Sequence, residues 1–164
     1  MFDLLKRLFQ REKNPPTFHK FVDPLGNFSI MVPEKWKTDE DIAIDDGKYT
    51  IPFDSPDELA EFSISIDYSA RNASFDFDDF VKKYFNSPES GIHSTFSKTN
   101  FRKYPAYVRE FIYSNRGRGF YGGSIIFYTG KLLVELIHHA PADKREYYDI
   151  IFEKMKESMQ TGRD

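Results

Sequence analysis

The chain opens on a helical pattern. Phe2, Leu5, Leu8 and Phe9 recur at spacings of three, three and one, which places them on one face of a helix. Lys6, Arg7, Arg11 and Lys13 lie around the rest of it. Asn14-Pro15-Pro16 then stops the helix, because proline lacks the amide donor and restricts the residue before it. Residues 1–16 are therefore expected as a short amphipathic helix on a Pro-Pro hinge. A main domain over 17–160 and a tail over 161–164 follow.

From Thr17 the period changes from helical to alternating. Phe28, Ile30 and Val32 alternate with Ser29 and Met31, which predicts a strand over 27–32 that Pro33 ends. Trp36 to Ile44 and Tyr49 to Phe53 read as two more strands. Glu61 to Ser69 has the cleanest alternation. Phe62, Ile64, Ile66 and Tyr68 face one way and Ser63, Ser65, Asp67 and Ser69 the other, so one face is expected in the core and one wet or lightly covered.

Phe77, Phe80, Val81 and Tyr84 then return to helical spacing, with Ser74 or Asp76 available as N-cap. Three strands are expected next, over His93–Arg102, Ala106–Asn115 and Phe120–Tyr128. A fourth, Lys131–His139, follows a Thr129-Gly130 turn. Links this short favour antiparallel hairpins, because parallel strands need long crossovers. A last helix opens near Pro141 and Asp143 and buries Tyr148, Ile151, Phe152, Met155 and Met159, with Gly162 just past its end. The order is β-β-β-β-α-β-β-β-β-α. It defines an α+β protein with helices packed on an antiparallel sheet. The expected core includes Phe28, Ile64, Ile66, Val81, Val134, Leu136, Ile151 and Phe152.

Composition narrows the function classes. Length, 164 residues, fits one domain. There is no cysteine, which excludes disulfide scaffolds, thiol nucleophiles, iron–sulfur clusters and thiolate zinc sites. The net charge of −3 is too small to suggest a nucleic-acid partner. No apolar run approaches the ~18–20 residues of a transmembrane helix. The first residues lack the apolar core and cleavage site of a secretion signal, so a cytoplasmic location is expected.

The run Phe21-Val22-Asp23-Pro24-Leu25-Gly26-Asn27-Phe28-Ser29-Ile30-Met31-Val32-Pro33-Glu34-Lys35-Trp36 resembles the opening of the PsbP/DcrB-like superfamily. Tyr104-Pro105-Ala106-Tyr107 is similar to that superfamily's glycine-x-proline-alanine segment, with Tyr104 where glycine is common. Leu132 through Pro141 to Ser158-Met159 resembles its closing strand, helix and terminal serine–aromatic pair, with Met159 where phenylalanine is common. The resemblance covers residues 18–160. It implies an α/β/α sandwich around an antiparallel sheet of about six to eight strands. It also implies a mostly non-enzymatic family, whose members include an extrinsic photosystem subunit, a Ran-binding import factor and cytoplasmic chaperones for apolar segments of secreted effectors.

Few residues suggest chemistry. Gly117-Arg118-Gly119-Phe120-Tyr121-Gly122 spells G-x-G-x-x-G, but β-forming residues follow where a dinucleotide site needs a helix. A Gly-rich hairpin is expected instead. Asp45-Asp46-Gly47 reads as a turn with Gly47 left-handed, since the spacing of a calcium loop is missing. His138 and His139, adjacent on a strand, point to opposite faces and cannot easily chelate one ion. Arg102, Lys103 and Arg109 make the second half basic, against a run of carboxylates over 39–61. No cofactor, metal or nucleotide site is expected.

The first reading is a non-catalytic protein-binding module: an adaptor, an effector chaperone or an immunity-type protein. Its candidate contact residues are Phe2, Leu5, Leu8 and Phe9 on the first helix and Arg116, Arg118, Phe120 and Tyr121 on the hairpin. A small enzyme with an unrecognised polar site is the alternative. Weak membrane-surface contact through residues 1–13 is compatible with either. The oligomeric state is left open.

Overall fold

Two strands begin the domain, β1 (Phe18–Val22) and β2 (Phe28–Pro33). The computed structural model describes residues 16–39, 42–72, 74–85 and 96–162. The β1–β2 turn is built by the side chain of Asp23, which is 2% exposed. Its carboxylate accepts the backbone N–H groups of Leu25 and Asn27 at 3.1 and 2.9 Å and the hydroxyl of Tyr49 at 2.6 Å. Gly26 supplies the left-handed conformation, φ +76°. The Asp-Pro-Leu-Gly-Asn run is therefore a turn-building motif held by a buried acceptor.

The remaining strands are β3 (Lys37–Thr38), β4 (Lys48–Asp54), β5 (Glu61–Asp67), β6 (Phe96–Phe101), β7 (Tyr104–Asn115), β8 (Arg118–Tyr128), β9 (Leu133–Pro141) and β10 (Gln160–Thr161). Helix α1 spans Phe77–Phe85 and α2 spans Arg145–Ser158. Asp76 caps α1, accepting the Asp79 N–H at 2.9 Å. The large sheet has the order β3-β4-β5-β9-β8-β7-β6, antiparallel throughout. After β5 the chain crosses to the far edge by way of α1, and three hairpins bring it back until β9 pairs with β5, Ile64 opposite Leu136. A second sheet, β1-β2-β10, closes the domain, so the described residues form an α+β architecture with two α-helices.

The helices lie on opposite faces of the large sheet. Tyr148, Ile151, Phe152 and Met155 of α2 join Phe62, Ile64, Leu136 and the inner residues of β2 in the main core. Phe77 and Val81 of α1 pack with Tyr107, Ile126 and Leu133 in a smaller one. Every member of the expected core is buried.

Several expectations are corrected. Among the described residues of the Trp36–Ile44 segment only Lys37–Thr38 pairs as strand, while Trp36 turns inward against Tyr148 and Phe152. The face of β5 expected to be wet or lightly covered is covered at Ser63 and Ser65, which are buried, the Ser65 hydroxyl 2.7 Å from that of Thr50, and open at Ser69. The β8–β9 link is a four-residue loop, Thr129–Leu132, because Tyr128 pairs with Leu133. The strands β1 and β10 are additions. The half-buried rings of β1, Phe18 and Phe21, stand three apart, which hides its strand period, and β10 is too short to show one. The expected N-terminal helix and strand residues 93–95 lie outside the described residues.

Candidate functional site

The hairpin that carries four of the candidate contact residues is a two-residue turn, with Arg116 and Gly117 at φ +50° and +78°. Asn115 pairs with Arg118 across it. Gly119 and Gly122 continue into β8, where no helix can start, so the G-x-G-x-x-G run is a hairpin. Phe120 and Tyr121 are buried, against the expectation that they face a partner. Phe120 stacks under Tyr113 with ring centroids 5.2 Å apart, and the Tyr121 hydroxyl donates to the Arg145 carbonyl at 3.2 Å. Arg118 reaches Asp143 at 3.1 Å. Of the four candidate residues on the hairpin, only Arg116 is exposed. Alternation along β8 turns Phe120 and Tyr121 toward the two packed faces, and that burial replaces the surface role. Phe2, Leu5, Leu8 and Phe9 lie outside the described residues.

A broad concavity lies between α2 and the β6–β8 part of the sheet. The small sheet and α2 leave that part of their face open, and a groove of about 570 Å³ results. Ser97, Val108, Glu110, Gly123, Ile125 and His138 line its floor; Arg145, Asp149, Glu153 and Lys156 of α2 form one wall. These four fall at spacings of four, four and three, so they share one helical stripe. The stripe pairs along itself: Arg145 with Asp149 at 3.3 Å, and Lys156 with Glu153. Beyond Glu110, on the same face of β7, Ile112 is 79% exposed.

His138 sits at the inner end of the groove. Its ring stacks on Phe62 with centroids 6.5 Å apart and leans on Phe152 at 4.6 Å. Gly123 makes room for it, since a Cβ there would stand 3.0 Å from the imidazole Cε1. Burial, reinforced by the charges of Lys156, His139 and Arg145, pushes its pKa down to about 3. The imidazole is neutral near pH 7 and too weak a base to match the pKa that general-base catalysis wants. His139 points to the other face, against Tyr113 and Phe120.

That other face holds a second polar group beneath α1. Arg109 donates its Nε–H to Ser124 at 3.0 Å and stands 4.0 Å from Glu135. The Tyr84 hydroxyl donates to Glu135 Oε2 at 3.2 Å, while Oε1 has no hydrogen-bond partner. Burial raises the Glu135 pKa, with Arg109 opposing, and pushes that of Tyr84 up to about 12. The adjoining void, about 20 Å³, is water-sized. Arg109 is thus spent inside the protein and contributes nothing to a basic surface. Among the described residues no three metal-ligating side chains come together.

The groove was hidden in the sequence. The α2 stripe reads simply as the polar side of an amphipathic helix. Ile112, between Phe111 and Tyr113, is masked by a run of apolar residues; strict alternation against the buried Phe111 was the one signal that could have exposed it.

With both sheets, the two helices and the Asp23 turn in place, the fold is similar to that of a solved cyanobacterial PsbP. The cyanobacterial PsbP of Synechocystis, CyanoP, is similar at a TM-score of 0.62 and 12% identity, over 91% of this chain and 95% of that one. A Bacteroides thetaiotaomicron protein is similar at a TM-score of 0.61 and 20% identity over 88% of this chain, which spans 48% of that protein's length. The Pseudomonas aeruginosa protein PA94, of unknown function, is similar at 0.54 and 14% identity, over 90% of this chain and 98% of that one. Likeness at these identities is likeness of fold. No family model and no curated protein matches the chain.

Proposed function

We propose that this protein is a non-catalytic protein-binding module of the adaptor, chaperone or immunity type, and that the groove between α2 and β6–β8 receives the partner. The observation that carries this reading is Ile112, 79% exposed on the open half of the sheet face that also bears Val108 and Ile125. An exposed apolar residue beside a concave, partly apolar floor is the arrangement by which one polypeptide segment anchors another. The fitting partner is a segment with an apolar residue for that floor and polar groups for Glu110 and the α2 stripe. The weak basicity of His138 and the pairing of Asp149 and Glu153 with cations support binding over catalysis.

The test compares Ile112→Asp with Ile44→Asp, an exposed apolar residue outside the groove. Both should fold, since surface substitutions usually change stability within about 0.5 kcal/mol. Partners recovered by affinity purification should be lost with Ile112→Asp and kept with Ile44→Asp. Equal recovery with both would sink the groove as the binding surface.

A further inference from the structure

The outward side of α2 is a second uncovered surface. Glu146, Ile150, Glu153 and Glu157 follow at spacings of four, three and four, which aligns them on one stripe. All four are exposed, Ile150 by 59%. Glu153 meets Lys156 of its own helix, and Glu146 and Glu157 make no ion pair among the described residues. The stripe is acidic with an apolar centre.

The described chain begins beside this helix. The Lys154 ammonium lies 4.2 Å over the ring of Phe18, and the Thr17 hydroxyl donates to Glu34 at 2.8 Å. Lys154 and Ile150 are four residues apart, about one helical turn. Residues 1–15 therefore join the domain one turn from the exposed isoleucine. They carry the complementary pattern: the stripe Phe2, Leu5, Leu8 and Phe9, and a net +2 from Lys6, Arg7, Arg11 and Lys13 against Asp3 and Glu12. As a helix, residues 1–13 would span roughly 20 Å, against roughly 21 Å for the 14 residues of α2. Extended, residues 14–17 cover about 13 Å, enough to double the chain back.

We propose that residues 1–13 dock as an amphipathic helix along the outer face of α2, with their apolar stripe over Ile150 and their cations against Glu146, Glu153 and Glu157. The chain is its own partner at this surface. The inference shares with the groove reading only Glu153, at the border of the two stripes, and it involves no second protein.

The absence of cysteine makes the test clean. The full chain is prepared as Leu5→Cys/Ile150→Cys and as Leu5→Cys/Lys82→Cys, Lys82 being exposed on α1 across the sheet. Under mild oxidation in dilute solution, the first pair should close an intramolecular disulfide at least about tenfold faster, through its higher effective concentration. Thermal melts of the reduced variants confirm that both fold. Equal rates would overturn the proposal. So would bonds that form mainly between two differently tagged Leu5→Cys/Ile150→Cys copies, which would assign the surface to a second copy. Co-sedimentation of the full chain with phosphatidylserine vesicles, without the rate preference, would assign the stripe to a bilayer and equally overturn it.

Discussion

Acid should expose the half-buried imidazole of His138. The folded protein holds its pKa near 3, whereas an unfolded chain titrates near 6.5. Between those values the unfolded state binds a proton that the native state refuses. Stability therefore rises with pH across that window, is fully present above about 6.5, and falls as pH drops toward 3. Summing the proton uptake gives a loss of about 2 kcal/mol between pH 7 and pH 5 from this one group. Carboxylates contribute their own slopes, so the informative quantity is a difference. His138→Phe keeps a ring against Phe62 and Phe152 and removes the titration. Urea unfolding of both proteins at pH 7, 6 and 5 should show the wild type losing about 2 kcal/mol more than the variant across that range. Parallel pH profiles would mean that the imidazole is solvated in the folded state, and the account of the inner groove would fail.

Two further expectations concern packing. Gly122→Ala should cost about 1–3 kcal/mol, because its Cβ would stand 2.5 Å from the immovable His138 carbonyl oxygen as well as against the Phe111 ring. Gly117→Ala, in open space but at φ +78°, should cost about 1–2 kcal/mol by strain alone, and a larger penalty at 117 than at 122 in denaturant titrations would refute the close-approach argument. Ile151→Ala should cost about 2–5 kcal/mol, as expected for a side chain 1% exposed in the main core. A loss under about 1 kcal/mol in urea would contradict that placement.

The sequence was most readable where one physical rule acts alone. Phe62, Ile64 and Ile66 alternate because one side of β5 faces the main core, and the α2 residues Ile151, Phe152 and Met155 recur because one side of that helix does. Ser63 and Ser65 show the limit of the same rule: small hydroxyl residues suit a wet face or a covered one, and here both are buried, with the Ser65 hydroxyl hydrogen-bonded to that of Thr50. Phe120 and Tyr121 misled because their glycine and arginine neighbours look like a loop surface, although register carries both rings inward. The groove is legible only in three dimensions. It arises from what α2 fails to cover, and no local pattern records the width of a helix relative to a sheet.

The small sheet ties distant parts of the chain together. The Ser158 hydroxyl accepts the Met31 N–H at 2.8 Å across 127 positions of sequence, β10 pairs with β2, and the Gly162 N–H reaches the Asn27 carbonyl at 3.0 Å. Closing a loop of that length costs about 4 kcal/mol of chain entropy before any contact rewards it. During synthesis β2 waits with one edge unpaired while every strand of the large sheet is made, and the segment after α2 supplies its missing neighbour. Folding therefore finishes as a clasp, and a nascent chain halted within α2 presents that open edge to whatever strand meets it first.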